Sequence, residues 1–338
     1  MRLKRAIKMM AGMAALCGCT LGAAAQQNVQ FSQYVFNGLS VNPAYAGYKG
    51  DWYLNAIYRH QWAGFPGAPR TGGISIDGLT NAREDRVGIG LQLMMDKLGP
   101  QEILSGYFNY AYRIPLDEDD TRRLSIGIAG GVTQYSIDGT ALQALDENDP
   151  AVPVTKTSVL IPDARFGIYY YTPKFYLGVS VMDLFSLYTD ATRYYWGGYN
   201  YKTIRKTQHL YATAGYLVDL GENLKLKPSI MVKEDFKGPT NVDLNAFLLI
   251  AEKLWIGGSY RTGVRLWDKP HLDRDLDPLD AASAIVEFYA TPQLRIGYSY
   301  DLTINKLASY QQGSHEISVG FLFNNKNRKL RITSPRYF

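Results

Sequence analysis

The stretch Val87-Gly88-Ile89-Gly90-Leu91-Gln92-Leu93-Met94-Met95-Asp96 decides the fold. In an extended chain, successive side chains point to opposite sides, so Val87, Ile89, Leu91, Leu93 and Met95 share one face and Gly88, Gly90, Gln92, Met94 and Asp96 the other. One face suits hydrocarbon and the other an aqueous or packed interior. Leu224 to Lys233 sorts in the same way, with Leu224, Leu226, Ile230 and Val232 opposite Lys225, Lys227, Ser229 and Lys233. The pattern recurs in Val242 to Ile250, Leu254 to Arg261, Ala282 to Ala290, Leu294 to Asp301 and His315 to Phe323. Slipping any of these by one residue would push Lys227 or Arg295 into lipid, so the register is tightly specified.

Further strands are predicted at Trp52 to Arg59, Thr71 to Leu79, Leu104 to Ile114, Leu124 to Ser136, Asp163 to Tyr171, Lys174 to Asp183 and Gln208 to Val218. The total of about fourteen is even, as an all-β, antiparallel outer-membrane barrel with both termini on the periplasmic side requires. Connections alternate in length. Thr80 to Asp85, Asp117 to Arg123, Tyr171 to Lys174, Asp219 to Asn223, Ala251 to Lys253 and Thr291-Pro292 are tight, whereas Ile137 to Ile161, Leu184 to Thr207, Trp267 to Asp280 and Thr303 to Gly313 are long. Short periplasmic turns and long extracellular loops have this asymmetry. The 26 tyrosines, many near strand ends, suit the two membrane interfaces. A soluble sandwich or propeller would have to bury every one of these apolar rows.

Arg2, Lys4, Arg5 and Lys8 precede an apolar run that ends in Ala23-Ala24-Ala25, which reads as a signal peptide over 1–25 with cleavage before Gln26. Leu16-Cys17-Gly18-Cys19 offers a competing reading, a lipoprotein box with Cys19 lipidated. The formal charge of +5 loses four basic residues with the leader and falls to about +1, so nothing points to nucleic acid. Both cysteines leave as well, removing disulfides and thiolate chemistry. What remains is organised as an N-terminal, plug-like periplasmic segment over 26–50, a barrel over 51–323 and a periplasmic tail over 324–338. No later stretch has the 18 or so continuous apolar residues that a membrane helix needs.

Catalytic chemistry is sparse. His60, His209, His271 and His315 each lack a nucleophile and base at motif spacing, and Gly88-Ile89-Gly90 lacks the third glycine and following helix of a dinucleotide fingerprint. His271, Asp273, Asp275 and Asp277 could suggest a calcium loop, but Pro278 stands where the turn glycine belongs, so a solvated loop is the better reading. Asp117 to Asp120 reads as a charged turn. No enzyme, cofactor or metal is expected. The interior face carries Lys225, Lys227, Lys233, Arg261 and Arg295 against Asp163, Asp243, Glu287, Asp301 and Glu316. Mixed signs favour ion-paired packing or a plug over a charge-selective filter, although a wide porin stays open as an alternative.

Two blocks depart from generic barrel sequence. Gln30-Phe31-Ser32-Gln33-Tyr34-Val35-Phe36-Asn37 runs into Val41-Asn42-Pro43-Ala44-Tyr45-Ala46-Gly47, and Arg59-His60-Gln61-Trp62-Ala63-Gly64-Phe65-Pro66-Gly67-Ala68-Pro69-Arg70-Thr71 follows. Together they closely resemble the PorP/SprF family of type IX secretion system outer-membrane proteins. Supporting stretches are Pro162 to Gly167, Tyr176 to Val181, Gly257 to Arg261, Ile296 to Asp301 and Ser334 to Phe338. The resemblance implies protein export across the outer membrane, in some members secretion or anchoring of gliding adhesins. It also implies three kinds of partner: the periplasmic ring and other secretion components, cargo with C-terminal sorting domains, and outer-membrane lipid.

From the residues themselves, Phe31, Tyr34, Phe36 and Leu39 are too apolar to hang free, so residues 28–48 are expected in the barrel mouth or against a partner, with a strand extension as the alternative. Asn37, Asn42, Pro43 and Tyr45 belong to that candidate site. Arg59, Gln61, Trp62, Phe65 and Pro69 form a second, in the first extracellular loop, where Gly64, Gly67 and Pro69 suggest a rigid turn folded inward over the lumen. The bland reading is a loop that only serves its hairpin. A porin or transporter for small solutes, hydrophobic ones included, is the competing function.

Overall fold

The computed structural model describes residues 30–323 apart from 81–84, 120, 143–152, 188–191, 197–198, 205–206, 270–271 and 273–278. The expected leader 1–25 with its alternative at Cys19, the loop residues His271, Asp273, Asp275 and Asp277, and the tail 324–338 lie outside the described residues. Among the described residues, fourteen antiparallel strands close into one barrel: Trp52–His60, Arg70–Leu79, Val87–Leu98, Gln101–Pro115, Arg123–Asp138, Lys156–Tyr171, Phe175–Met182, His209–Tyr216, Leu224–Glu234, Thr240–Ile250, Leu254–Val264, Leu279–Tyr289, Leu294–Thr303 and Ser314–Phe323. Each pairs with its neighbours in sequence. Closure comes from the first strand on the last, from Trp52↔Phe323 to His60↔His315. Val218–Gly221 continues the eighth strand past Leu217 along Leu224–Glu234.

The period-two pattern sorts sides as expected. Leu91, Leu93 and Met95 face outward and are exposed, while Gln92 between them is buried. On the wall opposite, Pro228 and Ile230 face outward while Lys227, Ser229, Met231 and Lys233 are buried inside. Backbone donors and acceptors are thus satisfied between strands, the condition hydrocarbon imposes on any spanning chain.

Short turns gather at the end of the barrel that holds Trp52 and Phe323. There Asp117 Oδ1 accepts from the amides of Thr121 at 2.8 Å and Arg122 at 3.0 Å, closing one of them. At the other end the lengths differ from expectation. Leu98 and Gln101 are joined only by Gly99-Pro100, and the sixth strand begins at Lys156 rather than Asp163. Thr157, Val159 and Ile161 alternate inward and Ser158, Leu160 and Pro162 outward, so the strand pattern is present but Pro162 interrupts it to the eye. This strand pairs along its whole length with Arg123–Asp138 but meets Phe175–Met182 only from Phe166 to Tyr171, and so overshoots that neighbour by Lys156 to Arg165. The loop after Met182 also holds a 3-10 turn, Leu184–Leu187, and a hairpin, Thr192–Trp196 with Tyr199–Ile204. Neither is visible as a periodic apolar run.

Ile128→Arg puts a cation at an outward position that is 57% exposed. If that face meets lipid, the change should destabilise the barrel by about 2–4 kcal/mol near mid-membrane. A shifted urea midpoint in lipid vesicles is the expected readout; an unchanged midpoint would mean that the face is not in hydrocarbon.

Candidate functional site

Residues 30–51, which precede the first strand, lie inside the barrel. Three short 3-10 turns, Ser32–Phe36, Gly38–Ser40 and Pro43–Tyr45, shape the segment, and nearly every residue in it is buried. Pro43 sits at the first position of its turn, where its missing N–H costs nothing. Asn42 caps that turn by accepting from Ala44 N at 2.9 Å.

The wall is cut to fit this backbone. Gly47 N donates to Asp77 Oδ2 at 2.8 Å, and Ser125 Oγ donates to Ala44 O at 2.7 Å. Asn42 Nδ2 donates to Ile168 O at 3.0 Å, and Ser180 Oγ donates to Val41 O. Glycines stand where the segment passes closest. A Cβ on Gly88 would lie 2.1 Å from Ala46 O, one on Gly127 2.3 Å from Ala44 N, and one on Gly167 2.1 Å from Asn42 Oδ1. Any larger residue at these positions collides with the plug.

Aromatic packing joins the segment to the wall on several sides. Phe36 meets Phe247 edge-on at 5.1 Å and Trp255 at 5.8 Å between ring centres, with Lys227 Nζ 4.5 Å from its own centre. Tyr45 stacks on Tyr48 at 4.8 Å, and Tyr48 meets Tyr171 edge-on at 4.8 Å. A void of about 20 Å³ is left beside the segment, lined by Tyr34, Asn42, Tyr45, Tyr169 and Tyr176 among others. That is room for roughly one water.

Charges fasten both halves. Arg295 Nη1 donates to Phe36 O at 3.1 Å and pairs with Glu287 at 3.1 Å, while its Nη2 reaches Asn55 Oδ1 at 2.7 Å. Further along, Glu316 accepts from the amides of Ser32 at 3.0 Å and Gln33 at 2.8 Å. Arg59 Nη1 binds both Asp301 at 2.6 Å and Glu316 at 3.1 Å, and Ser32 Oγ donates to Asp301 Oδ2 at 2.6 Å. Asn245 Nδ2 donates to Tyr34 OH at 2.7 Å. Gln30 Nε2 donates to Asp243 Oδ2 at 2.8 Å, on a carboxylate that also takes Arg261 Nε at 3.1 Å. Lone charges of these kinds would be costly in such a place, but here each is held by an opposite charge or a polar plug atom.

The first candidate block is therefore gathered in one place: Phe31, Tyr34, Phe36, Asn37, Asn42, Pro43 and Tyr45 are all buried in the lumen, with Arg59 reaching them from the wall. The rest of the second block behaves differently. Trp62, at φ 51°, starts a loop whose Ala63 exchanges backbone hydrogen bonds with Gly313 and Gln312 at 2.8 Å each. Gly67 O accepts from Gly99 N at 3.1 Å. This loop is tied sideways to its neighbours on the rim, not folded over the lumen: Phe65 is 46% exposed, and Gln61, Trp62 and Pro69 are half-buried. Lys225 also departs from the interior set, pairing with Glu252 at 2.5 Å by a short turn, because the alternation continues beyond the enclosed part of the strand.

His209 lies 3.3 Å from Asp183, and His315 accepts or donates at 2.8 Å with Tyr298 OH. Among the described residues no group of three or more His, Cys, Asp or Glu is placed to hold a metal ion. Of the wall residues that seat the plug, Gly167 and Ser180 fall in stretches that carry the family resemblance, whereas Ser125, Gly127 and Asn245 carried no signal in the sequence beyond lying on strands.

A family model described as type IX secretion system membrane protein PorP/SprF matches residues 23–321. The chain matches no curated protein sequence. Among solved structures, the CymD monoaromatic hydrocarbon channel aligns with TM-score 0.51 at 11% identity, covering 90% of this chain and 96% of its own. The P. putida toluene transporter TodX aligns at 0.48 and 10%, covering 90% and 97%. The Ralstonia pickettii toluene transporter TbuX gives 0.48 and 10%, covering 87% and 94%. The likeness to CymD is one of fold alone. Apolar-belted closure and the family match together put the barrel in the outer membrane.

Gly127→Val and Gly167→Val are expected to lower stability by about 1–3 kcal/mol through overpacking. Gly130→Val, on the outer face with nothing within 4 Å, should stay within about 0.5 kcal/mol. Glu316→Ala leaves the amides of Ser32 and Gln33 without their carboxylate acceptor, while Arg59 keeps Asp301, and should cost about 1–3 kcal/mol. Urea unfolding of the purified variants checks all four, and equal effects at Gly127 and Gly130 would contradict a seated plug.

Proposed function

This chain belongs to the PorP/SprF family of type IX secretion system membrane proteins, and on that premise we propose that it is a sealed, noncatalytic barrel that supports protein export by binding. Its partners in this reading are cargo with C-terminal sorting domains and other components of the apparatus, including the periplasmic ring. Short turns lie in the periplasm and long loops outside. In members devoted to gliding, the cargo would be a surface adhesin.

The observation that carries this reading is the filled lumen. A porin needs a continuous aqueous path, whereas here residues 30–51 occupy the cross-section and are bonded to the wall around it. Work is then left to the two faces. On the outer rim, Phe65 is exposed on a loop already braced against its neighbours, which keeps the ring available for contact without ordering a mobile segment first. Trp62 and Phe65 are assigned to a partner contact on that ground.

A deletion strain should lose secretion of its surface proteins, and restored Phe65→Ala should assemble normally yet export less; undiminished export in the deletion strain overturns the role. In planar bilayers the intact protein should remain closed, and removal of residues 30–48 should open a steady conductance. A large open channel in the intact protein would instead favour the solute-transporter reading.

A further inference from the structure

The plug has a direction, and the strand Thr240–Ile250 records it. Three of its inward side chains, taken from the short-turn end upward, are Phe247, Asn245 and Asp243. They meet Phe36, Tyr34 and Gln30 in turn. At ~3.3 Å per residue, Asp243 stands about 13 Å above Phe247 along the strand. The segment therefore climbs toward the long loops as it is followed back from the first strand.

Other contacts agree. Gly47 is bound to Asp77, close to Leu79 at the short-turn end, and Ala44 to Ser125, close to Arg123 at the same end. Ser32, by contrast, is bound to Asp301 and Glu316, which stand next to the long-loop ends Thr303 and Ser314, and to Arg59, next to His60. Burial changes in the same sense, since residues 31–36 are buried and Gln30 is only half-buried.

We infer that the plug at Gln30, its first described residue, opens onto the long-loop mouth and is presented to the cell exterior, although the first strand starts at the opposite end. A protein at the outer face can then grip the plug by that end. At the opposite end residues 47–51 run directly into the first strand, and of these only Lys49 is not buried. The inference rests on the proposed orientation, with short turns in the periplasm, and not on an export role.

Cys17 and Cys19 are the only cysteines and both lie in the expected leader, so labelling of the unsubstituted protein sets the background against which single substitutions are read. Gln30→Cys is compared with Ser309→Cys, exposed in a long loop, and Lys253→Cys, exposed in a short turn. Intact cells are treated with a membrane-impermeant maleimide, then the outer membrane is permeabilised and the treatment repeated; heat-modifiable mobility confirms that each variant has folded. Gln30→Cys and Ser309→Cys should label in intact cells, and Lys253→Cys only after permeabilisation. Labelling of Gln30→Cys only after permeabilisation, or under neither condition, overturns the inference. Labelling of Lys253→Cys in intact cells overturns it too, because the barrel would then be inverted.

Discussion

Hydrocarbon supplies no hydrogen bonds, and that single constraint sets the rest of this molecule. A chain that crosses the membrane with strands must close, so that every ladder finds a neighbour, and here closure takes fourteen strands. Fourteen strands enclose more space than their own side chains fill, since about eight already suffice for a side-chain-filled interior. Inward-facing Lys227, Arg295, Glu287, Asp301 and Glu316 would then line an aqueous channel. Instead they close on residues 30–51, and the barrel becomes a wall around a plug.

Plug and wall specify each other. Glycine on the inner face is a weak strand former, yet Gly88, Gly127 and Gly167 stand where the plug backbone comes nearest, and side chains there would expel it. Arg59 shows the same reciprocity in charge. Its guanidinium holds two carboxylates that would otherwise repel, and the plug supplies the remaining donors through Ser32 and Gln33. Because desolvation offsets much of the attraction, a buried ion network of this kind adds little net stability, although removing one partner disturbs both plug and wall. Outer-rim loops are braced separately, through Ala63, Gln312 and Gly313, so contacts made there need not disturb the seal.

Much of the wall was legible because a strand's two faces see different media, and Leu91 to Asp96 displays that difference residue by residue, whereas Val87 near the strand's end is buried. Where one medium ends, the signal fails. Lys225 keeps the alternation but lies by a short turn with Glu252, and Lys156 to Ile161 keep it but are masked by Pro162. Phe31, Tyr34, Phe36 and Leu39 announced burial without saying against what, because 3-10 turns have no long period and their partners lie far along the chain, as Gln30 with Asp243 or Ser32 with Glu316. Trp62 and Phe65 misled for a related reason: a positive-φ, glycine-rich turn fixes local shape but not which neighbour it leans on.

The central claim is that residues 30–51 are seated inside the closed wall, and a disulfide trap tests it most directly. A Cβ built on Gly167 lies 3.0 Å from Asn42 Cγ, close to the spacing across a disulfide, so Asn42→Cys with Gly167→Cys should oxidise spontaneously in the folded barrel and change its mobility on a non-reducing gel. Either single variant should show no such change. If the double variant folds and both thiols stay free under oxidising conditions, the segment is not in the lumen and the account of a sealed barrel is contradicted.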